Sequence, residues 1–266
     1  MDLGLTDRTA LVTGSHRGTG AVIAKTLASE GASVVVHGLV AEQADPIAAA
    51  IRRDGGTATA IFGDPRTDSG ADEISAQLAS GGYAIDVLVN NYGAASGGGW
   101  LDGPIEDWTA MYETNVLSGV RLVRRLVGPM RDRGWGRVLF LGTVGSARPR
   151  KQTPGYYAAK ASLPAMTVSL SKELAGTGVT VNLVSPGLIA TAEVRAMLEG
   201  RAKKKGWGSS WSEIERRAAS EFMPTPSGRI ARPEEVGALV AFLAGSWSAS
   251  INGADFRIDG GAADCV

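Results

Sequence analysis

The sequence is poor in metal-binding side chains and has no surplus of charge of either sign. Its single cysteine, Cys265, excludes a disulfide within the chain and argues against a cysteine-based metal site. The two histidines, His16 and His37, lack metal-ligand spacing. Lys plus Arg equals Asp plus Glu at 27 each, so no overall field attracts nucleic acid. The sequence therefore predicts no bound metal and no nucleic-acid partner.

Long apolar runs are also missing. No stretch approaches the roughly 20 apolar residues that a membrane-spanning helix needs. The opening residues, MDLGLTDRTALVTG, have neither the charged start nor the long apolar core of a secretory signal. A single cysteine fits a reducing compartment. Together these absences predict a cytoplasmic protein with no membrane partner.

What is present is an alternation of short apolar runs with longer helical patterns. The runs are TALVTG, SVVVHG, TATAIFGD, DVLVNN, GRVLFLGT, VTVNLVSPG and ADFRIDGG. Continuous apolar runs are typical of strands buried on both faces, and helices between them indicate right-handed parallel crossovers. The sequence therefore predicts one α/β domain over residues 1–266. We expect a Rossmann fold with a doubly wound, mostly parallel sheet of seven strands.

One segment, at about residues 188–226, breaks this alternation. It is rich in Trp, Met, Lys and Ser and has a helical pattern. Helical insertions at the carboxyl end of an α/β sheet often cover a ligand site, which predicts a substrate lid. A peripheral helix pair that serves oligomerisation is the alternative interpretation.

A glycine-rich stretch, TGSHRGTG (residues 13–20), follows the first apolar run and leads into a helical pattern. Gly14, Gly18 and Gly20 allow a tight turn and a close approach of a ligand, and the start of the helix offers free amides to a pyrophosphate. The alternative is a turn with no ligand, which the position after the first strand of a βαβ unit disfavours. The stretch therefore predicts a nucleotide site.

The glycine spacing, T-G-x-x-x-G-x-G, resembles that of the short-chain dehydrogenase/reductase family, classical type. The likeness continues in order through NNYG (residues 90–93), Asn115, GYYAAK (residues 155–160) and SPG (residues 185–187), and it covers residues 6–261. In its motif set the chain looks like the 3-oxoacyl-acyl-carrier-protein reductase branch. The resemblance implies a nicotinamide cofactor and a homo-oligomer, either a dimer or a homotetramer.

The resemblance also implies which residues bind the cofactor. They are Gly14, Ser15, His16, Arg17, Gly18, Thr19, Gly20, His37, Gly38, Asp64, Asn91, Gly93, Tyr156, Lys160, Pro186, Gly187, Ile189 and Thr191. Asp64 matches the family residue that touches the adenine, although a helix cap or turn former is its alternative role.

The end of the second apolar run bears on the choice of cofactor. NAD sites usually place an acid there, but this run ends at His37, Gly38 and Leu39, so no carboxylate repels a 2'-phosphate. Arg17 would attract that phosphate as a guanidinium. Against this, Leu39 stands where NADP-preferring members often carry a second basic residue. We expect NADP(H) to be preferred and NAD(H) to be possible.

The GYYAAK stretch brings a tyrosine and a lysine onto one face of a helix, four residues apart. Tyrosine, with a pKa of about 10, is a poor acid or base unless a cation stabilises its phenolate. By the resemblance, Tyr156 is the general acid/base, and Lys160 lowers its pKa and binds the nicotinamide ribose. Tyr157 is displaced by about 100° around the helix, so we expect it to pack.

Two further residues complete the catalytic set that the resemblance implies. Thr143 stands thirteen residues before Tyr156, where most of the family carries a serine that orients the carbonyl. Ser146 is the nearby hydroxyl that would substitute for it. Asn115 is implied to bend its helix and to hold a water linked to Lys160 in a proton relay.

These residues predict an enzyme that reduces a ketone to a secondary alcohol, reversibly, with NADP(H). The partner is a small carbonyl or alcohol substrate. Two alternatives stay open at this point. One is an NAD-dependent alcohol dehydrogenase that acts in the oxidative direction. The other is a catalytically weak cofactor-binding or sensing protein, for which the threonine in the serine position is the supporting feature.

Overall fold

All seven predicted strands form a single sheet in the computed structural model, which describes residues 1–264. The strands are β1 (Thr9–Val12), β2 (Ser33–Gly38), β3 (Thr57–Phe62), β4 (Val87–Asn90), β5 (Gly136–Leu141), β6 (Val179–Pro186) and β7 (Asp255–Ile258). Neighbouring strands are parallel, in the order β3-β2-β1-β4-β5-β6-β7. The predicted doubly wound Rossmann fold is confirmed. Cys265 lies outside the described residues.

Helices connect the strands and cover both faces of the sheet. The α-helices are α1 (Gly18–Ser29), α2 (Asp45–Arg53), α3 (Asp68–Ser80), α4 (Ile105–Tyr112), α5 (Ser118–Asp132), α6 (Pro154–Ala161), α7 (Leu163–Glu173), α8 (Ala192–Lys205), α9 (Trp211–Arg217) and α10 (Pro233–Ala244). Between α4 and α5 the helix widens into a π-helical turn, Glu113–Leu117, and a second such turn, Ala218–Phe222, follows α9.

The core has two halves because successive strand residues point to opposite faces of the sheet. Val12 in β1 belongs to the half that α1 and α10 cover, with Ile23 and Val240. Leu11, its neighbour in the same strand, belongs to the other half with Ile74 of α3. Both halves are fully buried at these positions, which explains why the strands read as continuous apolar runs.

The order of the strands places the functional site. The chain moves outward from β1 through β2 to β3, then returns to the other side of β1 to start β4. At such a reversal the loops after the two central strands separate, and ligands bind in the crevice at the carboxyl ends of the strands. The glycine-rich stretch after β1 and the NNYG stretch after β4 lie on either side of this crevice.

The segment that breaks the alternation is helical, as its pattern predicts. Residues 188–226 contain α8, α9 and the π-helical turn after α9. They pack through an apolar cluster of their own, which includes Leu198, Trp207 and Ile214. Ser210 begins α9 with a capping box to Glu213, in which each side chain accepts a backbone N–H of the other residue. Among the helices of residues 1–264, none is long and apolar enough to cross a bilayer.

Candidate functional site

A cleft of about 670 Å³ opens at the carboxyl edge of the sheet. Its walls come from the glycine-rich stretch, the ends of β4, β5 and β6, helix α6 and the start of α8. Of the residues predicted to bind a cofactor, those that line it are Gly14, Arg17, Gly18, Thr19, Gly20, Asn91, Gly93, Tyr156, Lys160, Pro186, Gly187, Ile189 and Thr191. The structure thus brings together most of a set that is spread over the whole sequence.

The glycine-rich stretch forms one wall and fits a phosphate group. Gly14 and Gly18 have positive φ, +62° and +57°, which glycine adopts without strain. A β-carbon added at Gly18 would meet no atom within 4 Å, so the backbone there borders open space. Helix α1 starts at this point with no capping side chain on Arg17 and no acid in its first turn. Its free amides and positive dipole end are therefore available to an anion.

Ser15 and His37, two of the residues predicted to bind the cofactor, do not line the cleft. Neither has exposed surface. The Ser15 hydroxyl accepts the His37 N–H at 3.0 Å and donates to the Val12 carbonyl at 2.6 Å. The His37 ring accepts the Gly14 N–H through Nδ1 at 3.0 Å and lies 2.9 Å from the Gly63 carbonyl through Nε2. Both side chains therefore support the glycine loop from behind.

The environment of His37 keeps it neutral. Burial lowers its pKa to about 4, the Gly63 carbonyl opposes this, and the charge of His16 adds to it. A neutral ring is also what the two backbone contacts require, because Nδ1 accepts a hydrogen bond and Nε2 donates one. His16 is partly buried, and burial followed by the neighbouring Arg17 lowers its pKa. Gly38 is buried against Gln43, away from the cleft.

At the far end of the crevice, Asp64 is held by an arginine that the sequence did not single out. Arg66 donates to both Asp64 carboxylate oxygens, with Nε 2.9 Å from Oδ1 and Nη2 2.7 Å from Oδ2. These bonds lower the pKa of Asp64. The Tyr92 side chain packs against Gly14 and interacts electrostatically with Arg66 and Asp64. Asp64 does not line the main cleft, and Tyr92 closes the crevice between β1 and β4.

The opposite end of the cleft holds the predicted catalytic residues. Tyr156 and Lys160 lie on α6. Thr143 follows β5 and is the N-cap of a short 3₁₀ turn, Val144–Ser146. Thr143 Oγ1 accepts the Gly145 N–H at 3.1 Å, which orients its hydroxyl. The same hydroxyl lowers the pKa of the Tyr156 phenol in part. All three residues line the cleft, whereas Ser146, the alternative hydroxyl, does not.

Burial dominates the acid–base properties of this group. Burial raises the pKa of Tyr156 to about 12, the Thr143 hydrogen bond lowers it in part, and Tyr157 raises it again. Burial also lowers the pKa of Lys160 to about 8. Lys160 is itself buried and lines the same cleft as Tyr156. Its Nζ donates to the Leu141 carbonyl at 2.7 Å.

Tyr157 packs beside Tyr156, as its position on the helix predicts. The two rings meet edge to face, with centroids 5.3 Å apart. The Tyr157 ring also covers Gly145 so closely that a β-carbon there would overlap it. Tyr157 is absent from the cleft wall formed by the described residues.

Asn115 lies in the π-helical turn between α4 and α5, so the predicted bend in its helix is present as a local widening. Its side chain docks onto the loop after β4: Nδ2 donates to the Ala94 carbonyl at 2.9 Å, and Oδ1 accepts the Ala94 N–H at 3.1 Å. Nδ2 also donates to the Met111 carbonyl. Both Asn115 Oδ1 and Lys160 Nζ approach Gly93, where a β-carbon would crowd them at 2.7 and 3.2 Å. Asn115 is buried and holds this loop against Lys160.

The start of the lid also contributes to the cleft. Thr191 caps α8, and its hydroxyl accepts the Val194 N–H at 3.3 Å. Glu193, two residues later, lines the cleft and forms an ion pair with Arg17, with 3.5 Å between Oε1 and Nη1. Nothing in the spacing of the sequence connects these two residues, which lie 176 positions apart.

The end of the lid is held by a second arginine. Arg150, in the loop before α6, donates to the Phe222 carbonyl at 2.8 Å and stacks over the Phe222 ring, with 4.2 Å from its Cζ to the ring centroid. Trp207 is only 6% exposed and donates through Nε1 to Glu221, so it packs inside the lid. It is therefore a core residue of the lid and does not cap the cleft.

Comparisons with known proteins place this site among nicotinamide-dependent oxidoreductases. Residues 14–263 match the profile of a family described as "Enoyl-(Acyl carrier protein) reductase". The chain is 36% identical to an uncharacterized oxidoreductase, YvaG, of Bacillus subtilis, with 98% of each chain covered. It is 32% identical to the 3-oxoacyl-[acyl-carrier-protein] reductase FabG of Escherichia coli, over 95% of this chain and 96% of that protein.

The fold comparison agrees with the sequence comparisons. L-sorbose reductase from Gluconobacter frateurii, solved with NADPH and L-sorbose, superimposes with a TM-score of 0.92 over 100% of both chains, at 29% identity. The fold of the chain is thus similar to that of a reductase solved with NADPH and L-sorbose.

Proposed function

Because the chain belongs to the short-chain dehydrogenase/reductase family and is an NAD(P)-dependent oxidoreductase, we propose that it reduces a ketone to a secondary alcohol with NADP(H), reversibly. The observation that carries this proposal is the convergence of Tyr156, Thr143 and Lys160 at one end of the cleft whose other wall is the glycine loop. Carbonyl reduction requires three groups: a proton donor, a hydroxyl that binds the carbonyl oxygen, and a loop that binds the phosphates of the cofactor.

The residues of the cleft fit a nicotinamide dinucleotide. The open space at Gly18 and the free start of α1 suit the pyrophosphate, and Asp64 with Tyr92 border the place for the adenosine half. Lys160 and Gly93 lie on the nicotinamide side. When bound, the reduced cofactor supplies the hydride that the protein's own side chains lack.

Tyr156 acts in this proposal as the general acid. With a pKa of about 12 it stays protonated at neutral pH, so its phenol is able to give a proton to the oxygen that becomes the alcohol. Thr143, whose hydroxyl is oriented by the Gly145 N–H, holds that oxygen. Lys160, with a pKa of about 8, is mainly cationic at neutral pH and stabilises the phenolate that forms. Asn115 keeps the Ala94 loop in place beside Lys160.

Two features support a preference for NADP(H). The end of β2 carries no acid that would repel a 2'-phosphate, and Arg17 stands exposed in the cleft wall as a phosphate partner. The similar L-sorbose reductase structure contains NADPH. NAD(H) remains compatible with the cleft, since Asp64 and the glycine loop recognise parts that both cofactors share.

We propose further that the substrate is a small polar ketone, that residues 188–226 close over it as a lid, and that the chain works in the cytoplasm as a homo-oligomer, a dimer or a homotetramer. The support is the likeness to L-sorbose reductase and to the FabG reductase, the lid tethers at both edges of the cleft, and the single cysteine. Sedimentation of the purified protein measures the oligomeric state directly.

The test of the proposed reaction is a substrate screen that follows nicotinamide absorbance. Ketoses, 3-oxoacyl thioesters, simple ketones and one enoyl thioester are offered with NADPH and with NADH, and the corresponding alcohols with the oxidised forms. Tyr156→Phe should lower the rate on the best substrate by about 10²–10⁴-fold, because the proton donor is lost. Tyr157→Phe is the matched control, and we expect it to keep the rate.

Binding titrations separate the possible failures of this test. NADPH should bind wild type and Tyr156→Phe with similar affinity. A normal rate in Tyr156→Phe would assign the proton donor elsewhere. Tight NADPH binding without turnover of any carbonyl or alcohol would instead favour the cofactor-sensing alternative, and a preference for the enoyl thioester would contradict ketone reduction.

A further inference from the structure

The cleft contains one carboxylate where a polyanion is to bind. Glu193 lies at the second residue of α8 and lines the same cavity as the glycine loop. Its pKa is lowered, first by its own backbone N–H and also by Thr191 and Arg17, so it is ionised at neutral pH. A fixed negative charge in a phosphate site opposes binding unless another group neutralises it.

That neutralising group is Arg17. The guanidinium Nη1 lies 3.5 Å from Glu193 Oε1, and both side chains line the cleft. Within residues 1–264, this is the one ion pair that connects the lid to the glycine loop. Arg17 is also the residue best placed to attract a cofactor phosphate. One guanidinium therefore faces two anionic partners, of which only one belongs to the protein.

We propose that Glu193 is an internal competitor for the cofactor phosphate at Arg17 and thereby sets how tightly the cofactor binds. This inference rests on the proposed NADP(H) site. Binding of a phosphate at Arg17 replaces the Arg17–Glu193 pair, so part of the attraction is used to break it. The acid thus weakens cofactor binding and favours its release after turnover.

The geometry sets the size of the effect. The side chains of Arg17 and Glu193 are 71% and 53% exposed, so the pair is well solvated and weak. Exposed pairs contribute about 0.2–1 kcal/mol, which corresponds to about a 1.4- to 5-fold change in an equilibrium constant. The contact is also long for a charge-assisted hydrogen bond, so Arg17 is free to change partner without a large barrier.

The experiment is equilibrium titration of the whole chain with NADPH and with NADH, without any substrate. Glu193→Gln keeps the size and the helical preference of the side chain but removes its charge. We expect it to bind NADPH about two- to fivefold more tightly than wild type at low salt. The matched control is Glu199→Gln, an exposed acid on the same helix, α8, which should leave the dissociation constant unchanged.

A double-mutant cycle with Arg17→Gln identifies the route of the effect. If Glu193 acts by occupying Arg17, the double variant Arg17→Gln, Glu193→Gln should bind NADPH no more tightly than the single variant Arg17→Gln. If the gain persists without Arg17, the acid acts by general repulsion and the competition is overturned. Unchanged or weaker NADPH binding in Glu193→Gln also overturns it.

A comparison of NADPH with NADH affinities shows which phosphate group of the cofactor Arg17 binds. A gain confined to NADPH assigns the 2'-phosphate, whereas an equal gain with NADH assigns the pyrophosphate; both support the competition. Failure of this inference is separable from failure of the proposed function, since a wild-type chain that binds neither nucleotide contradicts the function itself.

Discussion

At the scale of single residues, the hydroxyl of Thr143 has two polar neighbours. It accepts the Gly145 N–H, and it lowers the pKa of the Tyr156 phenol in part. A threonine does this as well as a serine, because only the oxygen takes part. The additional methyl group narrows the cleft beside the reacting oxygen and limits the shape of the substrate.

We expect Thr143→Ser to keep kcat within about threefold, because the oxygen with its two partners is retained. Thr143→Val should lower kcat by about 10²-fold, the typical cost of removing one hydrogen-bond donor from an oxyanion. The measurement is steady-state turnover together with NADPH affinity, which should stay constant in both variants. Ser146→Ala is the control outside the cleft wall; full activity in Thr143→Val would place the oxygen-holding group elsewhere.

His37 gives a second prediction, on stability. Its pKa is about 4 in the folded chain against 6.5 as a free group. Between these values the unfolded chain binds more protons, so the free energy of unfolding falls as pH falls from 6.5 towards 4. From pH 7 to pH 5 this residue should account for a loss of about 2 kcal/mol.

Denaturant titrations at pH 7, 6 and 5 measure this loss. His37→Gln keeps an acceptor for the Gly14 N–H and a donor for the Gly63 carbonyl but does not titrate, so the decline with acid should be smaller in that variant. His16→Gln, which lacks the pair of backbone contacts, is the control. An equal decline in wild type and His37→Gln would show that His37 does not carry the effect.

The limits of sequence-based prediction are visible at this scale. The resemblance to the family identified Tyr156, Lys160 and Thr143, and the structure brings all three to one cleft. It also implied Ser15 and His37 as cofactor-binding residues, and the structure buries both behind the glycine loop, because proximity in sequence does not reveal which side of a loop a residue occupies. Glu193 and the role of Arg150 depend on contacts between distant segments, which leave no periodic signal.

At the scale of elements, two arginines outside the helical segment of residues 188–226, the proposed lid, contact its two ends. Arg17 contacts its first helix from the glycine loop, and Arg150 contacts its last turn, at Phe222, from the loop before α6. The lid packs mainly through its own apolar cluster. A segment that packs mainly on itself opens locally at a low free-energy cost. The two arginine contacts determine which of its ends opens.

Arg150→Met should loosen the end of the lid, because it removes the hydrogen bond to the Phe222 carbonyl and the stacking on the ring. We expect trypsin to cleave after Lys203–Lys205, the exposed end of α8, about three- to tenfold faster than in wild type, as a loss of about 1 kcal/mol implies. Mass spectrometry of timed digests gives the rates. Lys151→Met, which removes the next cationic side chain, is the control; equal rates in the two variants would contradict the tether.

The strands and helices were the most predictable elements. Apolar runs buried on both faces of a parallel sheet can be recognised from composition alone, and all seven became strands. The π-helical turn at Glu113–Leu117 was expected only as a bend at Asn115, because the additional residue per turn is set by how the Asn115 side chain docks onto Ala94. Trp207 is buried within the apolar cluster of residues 188–226, which the richness of that segment in Trp did not reveal.

At the scale of the whole molecule, the two ends of the sheet differ in function. The carboxyl edge carries the cleft and both lid tethers. The amino edge carries Arg137, which is only 2% exposed and donates to the carbonyls of Gly136, Gly178 and Gly245. Trp135 lies between the guanidinium groups of Arg137 and Arg8, at 4.4 and 3.8 Å.

The strand order has a consequence for how the chain folds during its synthesis on the ribosome. β1 is hydrogen-bonded to β2 on one side and to β4 on the other, and β4 begins only at Val87. After β1 to β3 have been synthesised, the nascent chain therefore exposes an apolar strand edge until β4 emerges. Such an edge pairs readily with another chain. Translation pauses between residues 62 and 87 would lengthen this vulnerable interval, so the speed of synthesis there bears on how much protein folds correctly.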